Sequence, residues 1–213
     1  VEVLFLNDLG ITFLERSCFV MFPNSNEKVG PKRLSHLTAS EMINNHFISQ
    51  ELFDNYYKFA VVRDPFERAK SCYKHLRYNH LMTFNNFLVK VLKPSLEYKN
   101  DIYWFMKPQK DFIFCKKENR LVVNKVFKLE ELNDEIIDFY KKFNLKNTNV
   151  KLQKLNKSSK KQLSVYDIFL DKLKSVYMHY KIINKWGGHK SDYNTNREIV
   201  KKLYEEDYKL LNY

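Results

Sequence analysis

Glycine and proline are scarce, with four and five in 213 residues. That scarcity excludes a collagen-like, loop-rich or low-complexity chain. Cysteine is as rare. Cys18, Cys72 and Cys115 are widely spaced, form no CxxC pair and have no histidine cluster at zinc spacing. Neither a disulfide framework nor a structural zinc site is therefore expected. Long apolar runs are missing too. The longest, Cys18–Phe22 and Ile102–Met106, are five residues each, against the roughly 18 of a membrane span. No repeat and no Gly/Ser-rich or Pro-rich linker interrupts the chain. What the sequence does hold is 44% hydrophobic and 15% aromatic residues, enough to bury a sizeable core. Disorder is excluded as the main reading. The expectation is a single soluble globular domain over residues 1–213.

Charge gives the first functional hint. The formal net charge is +12, and its distribution is uneven. Residues 1–60 carry −2, residues 61–120 carry +7 and residues 121–213 carry +7. Such a surface attracts polyanions: nucleic acid, acidic polysaccharide, phosphorylated cofactors or a membrane surface. A lysine-rich solvated surface accounts for the same numbers. The charge and the fourteen tyrosines also suit a nucleic-acid binder. No RNA- or DNA-binding motif accompanies them, so nucleic acid is not the expected partner.

Patterning places strands between helices. Val3–Leu6, the Gly10 turn and Ile11–Phe22 read as strand, turn and helix. Thr38-Ala39-Ser40-Glu41 is a capping box that starts a helix. Phe59–Val62 suits a buried strand. Asp64-Pro65-Phe66-Glu67 then opens another helix, with Phe66, Ala69, Cys72, Tyr73 and Leu76 on one face. Strands are expected at Phe112–Cys115 and Leu121–Lys128. Helices are expected at about Asn133–Phe143, about Ser164–Lys185 and Thr195–Leu211, with Thr195 as a cap and a break at Gly187-Gly188. The class is α/β, with a largely parallel central sheet flanked by helices.

A helix N-terminus offers unpaired N–H groups and a positive dipole end to an anion. The stronger of two such units is Val62–Ser71. Arg63 stands at the strand end, where its guanidinium can fork onto a phosphate. Arg68, Ser71 and His75 share the helix's polar face. On spacing alone the same residues describe a solvated face with Arg63 in an ordinary ion pair.

The stretch Phe59-Ala60-Val61-Val62-Arg63-Asp64-Pro65-Phe66-Glu67-Arg68, followed by Ser71 and Tyr73, closely resembles the 3′-phosphate motif of carbohydrate sulfotransferases of the family 2 type. Those enzymes use 3′-phosphoadenosine 5′-phosphosulfate (PAPS). Further likenesses follow in order. Trp104 with Pro108-Gln109 and Asp111-Phe112-Ile113 is similar to the family's W-x-P-Q segment. Phe127–Leu132 resembles its "rfEnL" strand end, and Leu155-Asn156-Lys157-Ser158 its "LNKS" loop. Leu203–Tyr208 with Tyr213 resembles its closing helix, and Ser35–Glu41 the segment that often carries a histidine.

The resemblance implies a P-loop-like α/β sulfotransferase domain. It would move a sulfuryl group from PAPS to a carbohydrate hydroxyl by direct in-line transfer, without a metal. Arg63 and Ser71 would hold the 3′-phosphate, through charged hydrogen bonds worth roughly 1.5–3 kcal/mol each. His36 would be the general base, or a histidine merely preceding a helix cap. Asn156, Lys157 and Ser158 would close over the nucleotide, or form a solvated loop. Trp104 and Gln109 would shape the acceptor cleft, although a Trp in an apolar run also suits the core. The basic surface suits an acidic saccharide. Relatives include bacterial cytoplasmic enzymes and anchored Golgi-lumenal ones. A cytoplasmic chain is expected, with a Golgi-lumenal domain lacking its anchor as the alternative.

One loop departs from the family pattern. Relatives usually carry P-K-T-G-G-T-S between the first strand and helix, where this chain has Asn7-Asp8-Leu9-Gly10-Ile11-Thr12-Phe13. Gly10, Ile11, Thr12 and Phe13 would cradle the 5′-phosphosulfate through backbone N–H groups. Asp8 stands at the usual Lys position. Such a charge reversal about 6 Å from a phosphate is worth roughly 5–6 kcal/mol at an effective dielectric near 20. Lys28, Lys32 or Arg33 substitutes for the missing cation, or the loop aligns differently, or the chain is a catalytically impaired binding module on the same fold.

Overall fold

A computed structural model describes residues 34–100, 102–115, 118–145 and 193–213. A 3-10 turn, Leu34–His36, precedes α1 (Ala39–Asn44) and α2 (Gln50–Asn55). Strand β1 (Phe59–Val62) is followed by α3 (Pro65–His75). Next come α4 (Phe84–Phe87), a π turn (Leu88–Leu92) and α5 (Lys93–Tyr98), running head to tail. Short elements follow: α6 (Tyr103–Met106), α7 (Lys110–Ile113), β2 (Phe114–Cys115), β3 (Arg120–Leu121) and β4 (Lys125–Lys128). Then come α8 (Leu132–Lys142), α9 (Tyr193–Leu203) and α10 (Glu205–Leu211).

The local signals act as the sequence suggests. Thr38 caps α1 through a full capping box: Glu41 N–H donates to Thr38 Oγ1 at 3.2 Å, and Thr38 N–H to Glu41 Oε2 at 2.6 Å. Pro65 is the first residue of α3, a position where its fixed φ suits the helix and its missing N–H costs nothing. The π turn ends where Pro94 has no N–H to donate to the preceding turn. Ser95 Oγ instead donates to Val91 O at 2.6 Å.

The described residues divide between two compact units. One contains residues 34–64, those from Lys107 to 145, and Lys209–Tyr213. Here β1 and β4 pair in parallel, Phe59 opposite Lys125 and Val62 opposite Lys128, and β2 pairs antiparallel with β3. Strand alternation serves two cores. Phe59 and Phe127 face Leu132, Ile136 and Tyr140 of α8, while Ala60, Val62 and Val126 face Ile113 and Leu211. The other unit contains Pro65–Met106 and residues 193–208. Its core joins Phe66 and Ala69 of α3 to Phe87, Leu88, Leu92, Met106, Val200 and Tyr204. Cys72, Tyr73 and Leu76 pack against that cluster, as the helical face predicts. The class is α/β with a small parallel sheet. No described helix is long and apolar enough to cross a membrane.

Four boundaries differ from expectation, one of them a break at Tyr204 that divides the expected Thr195–Leu211 helix into α9 and α10. Phe112 and Ile113 close a helical turn instead of starting a strand. Asp111 N–H donates to Pro108 O and Phe112 N–H to Gln109 O, both at 3.1 Å, so the Pro108 turn overrides the β propensity of the apolar run. The stretch Leu121–Lys128 is two strands, because its ends have different partners: antiparallel β2 for one and parallel β1 for the other. Asn124 marks the switch, its N–H donating to Lys58 O and its Oδ1 accepting from Lys58 N–H, both at 2.8 Å. Thr195 lies inside α9, not at its cap, since the helix includes Tyr193, whose ring packs on Phe66 at 5.1 Å. The expected Val3–Phe22 unit and the Ser164–Lys185 helix with its Gly187-Gly188 break lie outside the described residues.

Phe127 is 1% exposed between β1 and α8. Phe127→Ala is expected to lower unfolding free energy in urea by roughly 3–5 kcal/mol. Val61→Ala, at a strand position open to solvent, should cost less than about 1 kcal/mol.

Candidate functional site

Arg63 is the first residue past β1, and the backbone around it is held on every side. Leu129 N–H donates to Val62 O at 2.7 Å. The Gln109 carboxamide takes both backbone polar groups of Arg63: Arg63 N–H donates to Gln109 Oε1 at 2.9 Å, and Gln109 Nε2 donates to Arg63 O at 2.8 Å. Asp64 N–H donates to Glu130 Oε1 at 3.2 Å. The other Glu130 oxygen accepts from the Tyr213 hydroxyl at 2.9 Å. Burial first, and then the Glu130 carboxylate, push the Tyr213 phenol above its ordinary range, which keeps it a donor. A strand end normally leaves such groups to water. Here side chains from two later segments replace the missing ladder partners.

His36 closes the 3-10 turn two residues before the Thr38 cap and is half-buried. The cap is tied in turn to Lys107. That ammonium is 1% exposed, reaches Glu41 Oε2 at 2.9 Å, and lies 5.2 Å from the centre of the Phe112 ring. Burial pushes the Glu41 carboxyl up. The Thr38 backbone hydrogen bond and the Lys107 ammonium outweigh it, and the net shift is below the ordinary value. Lys107 and Gln109, two residues apart, thus serve different segments: one the His36 turn and its cap, the other the end of β1.

In the second unit, Ser71 is exposed on α3, and so is His75. Arg68 of the same helix donates through Nη2 to Phe105 O at 2.9 Å. Trp104 is half-buried on α6, its ring edge-on to Tyr103 at 5.5 Å. The Cys72 thiol is pushed up to about 11 by burial, with Arg68 pulling the other way. It is therefore no thiolate nucleophile at neutral pH.

The structure thus brings Arg63 and Gln109 into direct contact, with His36 in the same unit; Ser71 and Trp104 belong to the other. Gly10, Ile11, Thr12, Phe13, Asp8, Asn156, Lys157 and Ser158 lie outside the described residues, as do Lys28, Lys32 and Arg33. No group of three or more His, Cys, Asp or Glu among the described residues is placed to hold a metal ion. Sequence reasoning missed Lys107 and Glu130. A lone cation directly after the five-residue run Ile102–Met106 was a usable signal for Lys107, since a charge in that setting needs a buried partner.

A family model described as "Sulfotransferase family" matches residues 19–213. The chain belongs to the sulfotransferase family. That match runs through the residues of both units and begins beyond Asn7–Phe13. No curated protein and no solved structure matches the chain. Sulfuryl transfer is the activity the family supports.

Glu41→Gln in this sulfotransferase replaces a charged partner of the buried Lys107 ammonium with a neutral one, and is expected to cost roughly 1.5–3 kcal/mol in urea unfolding. The Glu41 carboxyl is lowered in the folded state. Its contribution is therefore complete above the unfolded-state value and lost as pH falls through the lowered one. The gap between wild type and Glu41→Gln should be full at neutral pH and narrow on acidification.

Proposed function

We propose that the chain moves a sulfuryl group from 3′-phosphoadenosine 5′-phosphosulfate to a hydroxyl of a carbohydrate. The observation that carries this reading is Arg63 one residue past β1, its backbone clamped, in a chain of the sulfotransferase family. A guanidinium and a hydroxyl are a donor set that fits a phosphate, so Arg63 and Ser71 are read as ligands of the donor's 3′-phosphate. The donor supplies the activated sulfuryl group and a phosphate leaving group. His36 takes the proton of the acceptor hydroxyl as the new S–O bond forms and the S–O bond to phosphate breaks. Trp104 lines the acceptor side, and the +12 surface favours an acidic saccharide. Gly10–Phe13 and Asn156–Ser158 complete the nucleotide site in this reading.

One observation favours a second reading. Asp8 stands where relatives usually carry Lys, and a carboxylate there opposes a 5′-phosphosulfate. Under that reading the chain binds the nucleotide's 3′ end without turnover. Sulfation of any glycan acceptor by the purified chain excludes it.

Arg63→Ala is expected to weaken binding of 3′-phosphoadenosine 5′-phosphate by at least roughly 10- to 100-fold, the equivalent of a lost charged hydrogen bond. Unchanged affinity in that variant overturns the assignment. His36→Ala should leave nucleotide affinity intact and lower turnover by roughly 10²- to 10⁴-fold. Unchanged turnover removes His36 as the base.

A further inference from the structure

Gln109 is 8% exposed, and its amide holds both backbone polar groups of Arg63: Oε1 accepts from Arg63 N–H and Nε2 donates to Arg63 O. Burying a glutamine costs desolvation that an apolar residue of the same size avoids. What it supplies is geometry. A carboxamide is both donor and acceptor, so it holds a peptide backbone in one orientation as a strand partner does. The orientation of the Arg63 backbone sets its Cα–Cβ direction, and with it where the guanidinium starts. The clamp is itself anchored, because Lys107, two residues earlier, is buried and ion-paired to Glu41.

We propose that Gln109 is a positioning residue for Arg63, aiming the guanidinium so that the site selects nucleotides that carry a 3′-phosphate. The proposal rests on the reading of Arg63 as a phosphate ligand. Gln109 acts here through the Arg63 backbone, where the family likeness places it in the acceptor cleft. Glu130 does the neighbouring task at Asp64 N–H, but through one bond from an exposed side chain.

The test compares wild type with two variants. Gln109→Leu keeps the volume and removes both hydrogen bonds to Arg63. Gln109→Glu keeps the acceptor for Arg63 N–H and sets a carboxylate oxygen against Arg63 O. Each protein, its folding checked by thermal melting, is titrated calorimetrically with 3′-phosphoadenosine 5′-phosphate and with AMP. The preference for the 3′-phosphate is expected to fall roughly 10- to 100-fold in both variants, with AMP affinity nearly unchanged. A folded variant that keeps the wild-type preference overturns the proposal and leaves the functional reading standing. Equal losses for both nucleotides make Gln109 a merely structural residue and overturn it too. A wild-type chain without any preference overturns the functional reading and the proposal together. Should Gln109→Leu fail to fold, Gln109→Glu decides.

Discussion

The amide of Gln109 on the backbone of Arg63 is the contact on which the site depends. A parallel strand ends where its neighbour stops offering partners, and beyond that point the chain would normally be free to turn. In this sulfotransferase Val62 O, Arg63 N–H, Arg63 O and Asp64 N–H are all hydrogen-bonded to residues from the segments Gln109 and Leu129–Glu130. The arginine that follows β1 is therefore presented from a rigid base. A side chain presented from such a base has its backbone already ordered before any ligand arrives, which is the general advantage of preorganisation.

The segment Lys107–Gln109 links this base to the other half of its unit. A fully buried lysine is costly unless paired and hydrogen-bonded. Glu41 provides the pair while also closing the capping box on Thr38. That box starts α1 directly after the His36 turn. Two buried polar side chains on one tripeptide thus register the turn that carries the candidate base against the strand end that carries the candidate phosphate ligand. An apolar tripeptide would fill the same space without fixing either.

Much of this was legible in the sequence. Four apolar residues ended by Arg-Asp-Pro define β1 and the start of α3 to the residue, because strand burial and the proline act locally. Thr38 and Glu41 announce their cap by spacing alone. The likeness of Phe59–Arg68 to a phosphate motif pointed to the family that the match over residues 19–213 supports. Other features were not legible, for physical reasons. Phe112–Cys115 is too short for its period to separate helix from strand, and a turn begun at Pro108 decided the matter. Leu121–Lys128 is split by partners remote in sequence. Gln109 and Arg63 are 46 residues apart, and Lys107 and Glu41 are 66; nothing in local composition announces either contact. The acceptor-cleft role expected of Gln109 came from likeness, whereas its contact with Arg63 needed coordinates.

Amide hydrogen exchange of the wild-type protein without nucleotide, read at Arg63 and Asp64, addresses the rigid base most directly. If side chains have replaced the missing strand partners, both amides exchange as slowly as the hydrogen-bonded amides of β1, before any ligand is added. Exchange at the unprotected rate at these two positions, with β1 still protected, would contradict it. Arg63 would then stand on a loose strand end, ordered only when an anion arrives.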